Sequence, residues 1–196
     1  MNTVYLTRHG ESIYNTEERI GGNSGLSHKG DAYSKKLFEY MSKNEGIALL
    51  KIYTSELIRT KQTAKHFPDT NKTSLSFINE INAGDFEDYT YDEIKKNNPV
   101  EYENRKLDKF NYRYPNGESY KDLKSRVTQI FKFIHQDFYY NQLSLIVCHN
   151  AVLRIIYGIL MNVPDEDIPY INIPLHTLFK FELIDNNYKV TMIELD

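Results

Sequence analysis

The sequence predicts an α/β fold, a three-layer sandwich around a mostly parallel central sheet with an antiparallel edge. Three observations carry this. The runs VYLT from Val4, LLKIYT from Leu49 and LSLIV from Leu143 are short, apolar and β-branched, as buried parallel strands are. Segments of helical periodicity separate them, which parallel neighbours require. Two further runs, divided only by Asp185, Asn186 and Asn187, read as an antiparallel hairpin.

In chain order, strands are expected near 3–7, 50–54, 75–78, 143–148, 176–184 and 188–194, and helices near 28–43, 56–66, 91–97, 119–139 and 150–161. Ser55 stands where the N-cap of the second helix belongs. The long helix from Ser119 has the clearest pattern: Tyr120, Leu123, Val127, Ile130, Phe131, Ile134 and Phe138 share one stripe, and Ser119 with Asp122 forms a capping box. The run AVLRIIYGIL after Asn150 continues the fourth strand into an apolar helix.

Length and composition fit one domain over residues 1–196. Of these residues 40% are hydrophobic, enough for a core, and 26% are charged, which suits a water-facing surface. A net charge of −3 speaks against a nucleic-acid partner. No run is long enough to span a bilayer, and the chain enters a strand directly after Met1, so neither membrane nor leader is expected and the compartment is the cytoplasm. The single cysteine excludes an internal disulfide and a cysteine-based zinc cage. No repeat, linker or low-complexity tract interrupts the chain.

The chemistry lies where strands end. In open α/β sheets the ligand pocket lies beyond the carboxyl ends of the strands. The first strand stops at Arg8, His9 and Gly10, the second leads to Arg59 in the first turns of a helix, and the fourth stops at Cys148, His149 and Asn150. Arg8 is a permanent cation that can fork onto phosphate oxygens, and the imidazole of His9 is a nucleophile near neutral pH. An Arg at a helix start opposes the helix dipole, so Arg59 is better explained by a bound anion than by helix stability. Each residue read alone is a surface charge or a satisfied core histidine. Their recurrence after apolar runs points to one anion site.

The motifs RHGES at 8–12, TSELIRTKQTA at 54–64, NEINAG at 79–84 and CHNAVLR at 148–154 resemble the histidine phosphatase superfamily, also called phosphoglycerate mutase-like. RIGGNSGLS at 19–27, LDKFNYRYPNGESY at 107–120 and IPLHTL at 173–178 extend the resemblance to the fructose-2,6-bisphosphatase domains of bifunctional kinase/phosphatases, over nearly the whole chain. The resemblance implies a phosphoglycerate mutase-like fold and hydrolysis of the 2-phosphate of fructose 2,6-bisphosphate through a phosphohistidine. It assigns His9 as nucleophile, Glu80 as acid and then base, and Arg8, Arg59 and a protonated His149 as the groups that neutralise the transferred phosphate. Flanking cations should keep His9 neutral, and a carboxyl facing a bound dianion should hold its proton, as a general acid needs.

For recognition, the resemblance places Asn15, Gly21 and Gly22 beside the transferred phosphate, and Tyr91, Arg105, Lys109, Tyr120 and Arg154 at the sugar and its 6-phosphate. The basic stretch from Arg105 to Arg113, interleaved with aromatics, independently suits a phosphorylated sugar. Asn150 departs from the pattern, since the family carries Gln there. The implied partner is a phosphorylated sugar, and both a homodimer and fusion to a kinase stay open. No metal ion or other cofactor is expected.

Competing readings are weaker. Cys148 to Arg154 meets the C-x5-R spacing of cysteine phosphatases, but HNAVL lacks the glycines of a phosphate loop. Gly30 is followed by Asp31 rather than Lys, so no Walker loop is present. His28, His66 and His135 read as surface helix residues, and His176 as a structural residue beside the pocket. A broad-specificity sugar phosphatase, a mutase and a non-catalytic module on the same fold are the alternatives. The resemblance implies that a mutase carries a C-terminal tail shielding its phosphohistidine from water, so with Asp196 directly after the last strand hydrolysis is the expected outcome.

Overall fold

The computed structural model describes residues 2–195. Six strands form one sheet: β1 (Thr3–Arg8), β2 (Leu50–Thr54), β3 (Lys72–Ser74), β4 (Leu143–Cys148), β5 (Thr177–Ile184) and β6 (Asn187–Glu194), in the order β3-β2-β4-β1-β5-β6. The first four are parallel, and β5 and β6 run antiparallel at one edge, as expected. β1 and β4 are central, with Leu6 opposite Ile146 and Arg8 opposite Cys148. The strand ends that carry Arg8 and His149 are therefore neighbours. The final hairpin turns on two residues, Asp185 and Asn186, both at positive φ (49° and 64°), which matches the twist of the flanking strands.

Side chains alternate across the sheet, so each strand feeds two cores. Val4, Leu6, Tyr53, Ile146, Phe179 and Phe181 pack with α6 (Tyr120–Val127), α7 (Ile130–Tyr139) and α8 (Asn150–Leu160) on one face. Tyr5, Ile52, Leu145, Val147 and Leu178 meet, on the other, Tyr33, Leu37 and Met41 of α2 (His28–Asn44), which follows the one-turn α1 (Ile13–Thr16). Each fully buried side chain of this kind contributes roughly 1.5–3 kcal/mol. The result is the three-layer sandwich. A third, smaller cluster of Ala83, Phe86, Ile94 and Tyr114 joins α4 (Tyr91–Asn97) to the loops above the strand ends. Among the described residues, no helix is long and apolar enough to cross a membrane.

Four expectations need correction. The third strand is Lys72–Ser74 rather than 75–78, and Ser76–Ile78 forms a 3-10 turn. An edge strand pairs on one side only and is polar here, while the apolar run turns inward to bury Ile78. The helix expected at 56–66 is the shorter α3 (Ile58–Thr63), and its N-cap is Leu57 rather than Ser55. The helix expected at 119–139 divides at Thr128 and Gln129, which keep helical angles but shift to i+3 hydrogen bonds, as from Phe131 N–H to Thr128 O. Its Ser119–Asp122 capping box is present. A helix absent from the expectation, α5 (Pro99–Leu107), carries Arg105, so the basic stretch begins on the last turn of a helix.

Candidate active site

A cavity opens at the carboxyl ends of the central strands, lined by residues from β1, α3, α8 and the intervening loops, among them Arg8, His9, Asn15, Arg59, Glu80 and Arg154. His9 ends β1 in a fixed pose. Its backbone N–H donates to Cys148 O at 2.9 Å, and its ring Nδ1–H donates to the Gly10 carbonyl at 2.7 Å. A carbonyl only accepts, so the proton sits on Nδ1 and Nε2 carries the lone pair. Gly10 is required at this bend, because a Cβ there would lie 2.5 Å from Gly30 O of α2. Gly10 N–H is held by Thr63 Oγ1 of α3 at 2.9 Å.

His149 is wholly buried beside it, the two ring centroids 5.2 Å apart. Its Nε2 meets Ser55 Oγ at 2.8 Å, and its Nδ1 is buried with no protein partner among the described residues. Arg8 Nε and Asn150 Oδ1 are likewise buried and unpaired. Unmet buried polar atoms are costly, so the two on the cavity-lining residues Arg8 and Asn150 mark where a polar ligand completes the set, with His149 just behind the lining beside His9. Arg8 donates from Nη1 to Ile173 O at 2.9 Å, and Arg59 from Nη1 to Gly22 O at 2.8 Å, which fixes both guanidinium groups. Burial lowers Arg8 to about 10, with Glu80 opposing, so it stays charged at neutral pH.

Burial is the main force holding His9 well below the usual histidine range, followed by Arg59 and Arg8. The expected neutrality is thus present, but desolvation contributes more than the cations named for it. The same burial, then Arg59, His9 and Arg8, holds His149 down as well. Burial and these neighbours oppose a proton on His149, so the protonated form expected there needs the negative charge of a phosphate beside it.

Glu80 lies in the loop after the 3-10 turn. Its Oε1 accepts from Ile81 N at 2.9 Å, and its Oε2 lies 3.5 Å from Ala151 N in the first turn of α8. Arg126 of α6 fixes this loop by donating to the carbonyls of Phe77, Asn79 and Glu80 while forking onto Glu118 at 2.7 Å on each arm. Opposite, Glu87 joins two loops, accepting from Ala83 N at 2.6 Å and from Gly22 N. The Gly22 amide is therefore committed to Glu87 and does not line the cavity, whereas Gly21, at φ 67°, does.

The sugar-site candidates divide. Tyr91, Arg105, Tyr120, Asn150 and Arg154 line the cavity. Arg105 donates at 2.8 Å to the hydroxyls of both Tyr91 and Tyr114, and Arg154 donates to Ile171 O at 2.8 Å and to Tyr120 Oη at 3.2 Å. Lys109 does not line it. Its Nζ donates to Pro169 O at 2.9 Å and stands over the Tyr170 ring. Burial, then Arg105 and Arg154, lowers it to about 8, so it still lies within their field.

Sequence reasoning missed Ser55, Thr63, Glu87, Glu118 and Arg126 as supports, and Arg19, Tyr14 and Tyr114 as cavity residues. None carries a local signal, because each acts through a tertiary contact. Cys148 is fully buried in β4, and burial raises its thiol beyond the ordinary range, so it is unsuited to act as a nucleophile. Among the described residues no group of three His, Cys, Asp or Glu is placed to hold a metal.

Comparison with known proteins places the chain in a family. The chain is 42% identical over 191 residues to fructose-2,6-bisphosphatase of Saccharomyces cerevisiae, covering 97% of this chain and 41% of that protein. It is 38% identical over 194 residues to human 6-phosphofructo-2-kinase/fructose-2,6-bisphosphatase 4, covering 99% and 40%. The chain thus spans about two fifths of the length of these relatives. Among solved structures, Bacillus stearothermophilus YhfR superposes with a TM-score of 0.79 at 27% identity, covering 96% of this chain and 94% of that one. The alpha-ribazole phosphatase of Shigella flexneri shares the fold, with a TM-score of 0.80 at 20% identity and coverage of 98% and 95%. The family profile described as histidine phosphatase superfamily, branch 1, matches residues 4–196, the span that holds His9, His149 and the arginines of the cavity, and the chain belongs to that superfamily.

Proposed function

We propose that this chain hydrolyses the 2-phosphate of fructose 2,6-bisphosphate through a phosphohistidine on His9. The observation that carries the reading is the pose of His9: Nδ1–H committed to Gly10 O, and Nε2 left as the basic nitrogen of a cavity that also holds the fixed guanidinium groups of Arg8 and Arg59 and the carboxyl group of Glu80. The substrate is that of the fructose-2,6-bisphosphatase relatives.

Nε2 attacks phosphorus in line while the bond from phosphorus to the sugar oxygen breaks. Arg8, Arg59 and Nδ1 of His149 stabilise charge on the equatorial oxygens, which is where such sites do most of their work. Glu80 gives its proton to the leaving alkoxide, releasing fructose 6-phosphate. The carboxylate then takes a proton from water, the oxygen of that water attacks phosphorus, the P–N bond breaks, and its electron pair returns to Nε2. Arg105, Arg154, Tyr91 and Tyr120 hold the sugar and its 6-phosphate, with Asn15 and Gly21 beside the transferred group. A role in carbohydrate metabolism and a cytoplasmic site follow from that substrate. Union with a kinase domain is part of the same proposal, since the human relative's name pairs the two activities.

Mixing the chain with fructose 2,6-bisphosphate labelled in the 2-phosphate and quenching within milliseconds should trap an acid-labile, base-stable phosphoprotein. His9→Ala should give none, and Cys148→Ser should label like the wild type. Full turnover by His9→Ala would end the proposal. A kcat/KM for the bisphosphate no higher than for p-nitrophenyl phosphate would end the substrate assignment alone.

A further inference from the structure

The carbonyl that fixes the tautomer of His9 belongs to a peptide unit whose other end is also held by an imidazole. The Gly10–Glu11 peptide accepts from His9 Nδ1–H through its oxygen at 2.7 Å and donates through the Glu11 N–H to Nε2 of His176 at 3.2 Å. The path is continuous: His176 Nε2, the Glu11 N–H, the Gly10 C=O, the His9 Nδ1–H. Hydrogen bonds in series polarise one another, and an acceptor on the amide hydrogen makes the carbonyl oxygen of the same peptide a better acceptor.

His176 is positioned for this at some cost. It sits at φ 58°, a left-handed conformation uncommon for a residue with a side chain, and its ring stacks on Tyr33 with centroids 4.8 Å apart at 19°. Tyr33 is anchored through its hydroxyl to Thr7 Oγ1 of β1 at 2.5 Å, and Thr7 Oγ1 donates in turn to Thr177 O at 3.0 Å. Glu11 is fixed on its other sides, its carbonyl accepting from Ser27 N–H at 2.8 Å and its carboxylate from Ser27 Oγ at 2.6 Å. The ring therefore meets an immobile amide. His176 does not line the catalytic cavity; it borders a separate groove with Glu11, Lys29 and Lys36.

We infer that His176 is a positioning residue for the phosphoryl-transfer step, orienting and polarising the Gly10–Glu11 peptide so that His9 keeps its proton on Nδ1 and its nucleophilic lone pair on Nε2. The inference rests on the reading of His9 as the phosphate acceptor. A stronger acceptor at Nδ1–H raises the electron density at Nε2 and steadies the imidazolium character that develops as phosphorus is attacked. Substrate contacts are untouched, so the effect belongs to the chemical step and not to binding.

The test compares His176→Phe, which keeps a ring and loses the acceptor, with His176→Gln, whose amide oxygen restores one. Phosphoenzyme formation from labelled fructose 2,6-bisphosphate should slow by about tenfold in His176→Phe with KM changed by less than about twofold, and His176→Gln should recover to within about threefold of wild type. Nitrogen-15 histidine spectra of the unmodified protein give a readout that needs no variant to fold: His9 should show a protonated Nδ1 and a bare Nε2, and His176 a bare Nε2. Wild-type labelling rates in His176→Phe, equal slowing in both variants, or a protonated Nε2 on His176 would overturn the inference. Absence of any phosphohistidine in the wild type would instead remove the underlying reading of His9.

Discussion

Ser55 Oγ and His149 Nε2 lie 2.8 Å apart, and this one contact decides which ring nitrogen of His149 is left over for chemistry. The remaining nitrogen, Nδ1, is buried and has no partner among the described residues. Ser55 is itself fixed by Thr60 Oγ1 at 2.9 Å and by the Leu57 N–H at 3.1 Å, so the start of α3 orients the histidine that ends β4. A serine that reads as a helix cap is spent on a tertiary contact.

Ser55→Ala should therefore lower kcat by about tenfold, the worth of one hydrogen bond that orients a catalytic ring, with little change in KM. Single-turnover phosphoenzyme formation measures it. A fall in thermal stability with unchanged kcat would make the hydroxyl a purely structural partner.

The pH dependence of stability follows from the two histidines. Burial first, then the neighbouring cations, puts both well below their ordinary value of 6.5 in the folded state. On acidification the unfolded chain takes up these protons first, so stability is complete above about 6.5 and is lost as pH falls from there toward the folded values. Urea midpoints measured from pH 7.5 to 5.5 should decline, and His9→Asn should flatten part of that decline. An identical slope in the variant would show that His9 titrates normally in the native state.

Arg126 and Glu118 supply a second lever on catalysis. Burial raises the Glu118 carboxyl, but the Arg126 fork and the Asn82 N–H outweigh it, and the net shift is downward. A lowered carboxyl contributes stability above its unfolded value that is lost as pH falls through the folded one. Arg126→Met should cost ~2 kcal/mol, because it leaves Glu118 without its cation and three carbonyls without their donor. It should also reduce kcat, since those carbonyls belong to the loop that carries Glu80. Loss of stability with full kcat per folded molecule would show that the loop keeps its shape unaided.

The legible part of the site is the part that rests on strands. Apolar runs that stop at Arg8-His9-Gly10 and at Cys148-His149 reveal themselves because strand length and composition are local properties, and β1 and β4 proved to be neighbours. The less legible part rests on loops held from far away. Glu80 came from a motif and not from periodicity, and the arginine that fixes its carbonyl is 46 positions later. Helix α5 carries one local signal, a proline at its first position, where the missing N–H costs nothing. The division of the long helix left no trace in the apolar stripe, because Thr128 and Gln129 keep helical angles on either side of it.

The division between Arg105 and Lys109 gives the final prediction. Both were expected at the 6-phosphate, yet Arg105 lines the cavity, while the ammonium of Lys109 is held by Pro169 O and contributes through its field. Arg105→Ala should raise KM for fructose 2,6-bisphosphate by about tenfold to a hundredfold, the loss of a charged donor to phosphate, and leave p-nitrophenyl phosphate nearly unaffected. Lys109→Ala should cost less on the bisphosphate and nothing on the simple ester. Lys109 titrates at about 8, lowered by burial and by Arg105 and Arg154, so its charge is lost as pH rises through that value. In the wild type, kcat/KM for the bisphosphate should fall above that pH, with the step missing in Lys109→Ala and for p-nitrophenyl phosphate. A step of equal size on both substrates would move Lys109 from the distal phosphate to the reacting one, and equal KM effects of the two substitutions would remove the distinction drawn here between wall and field.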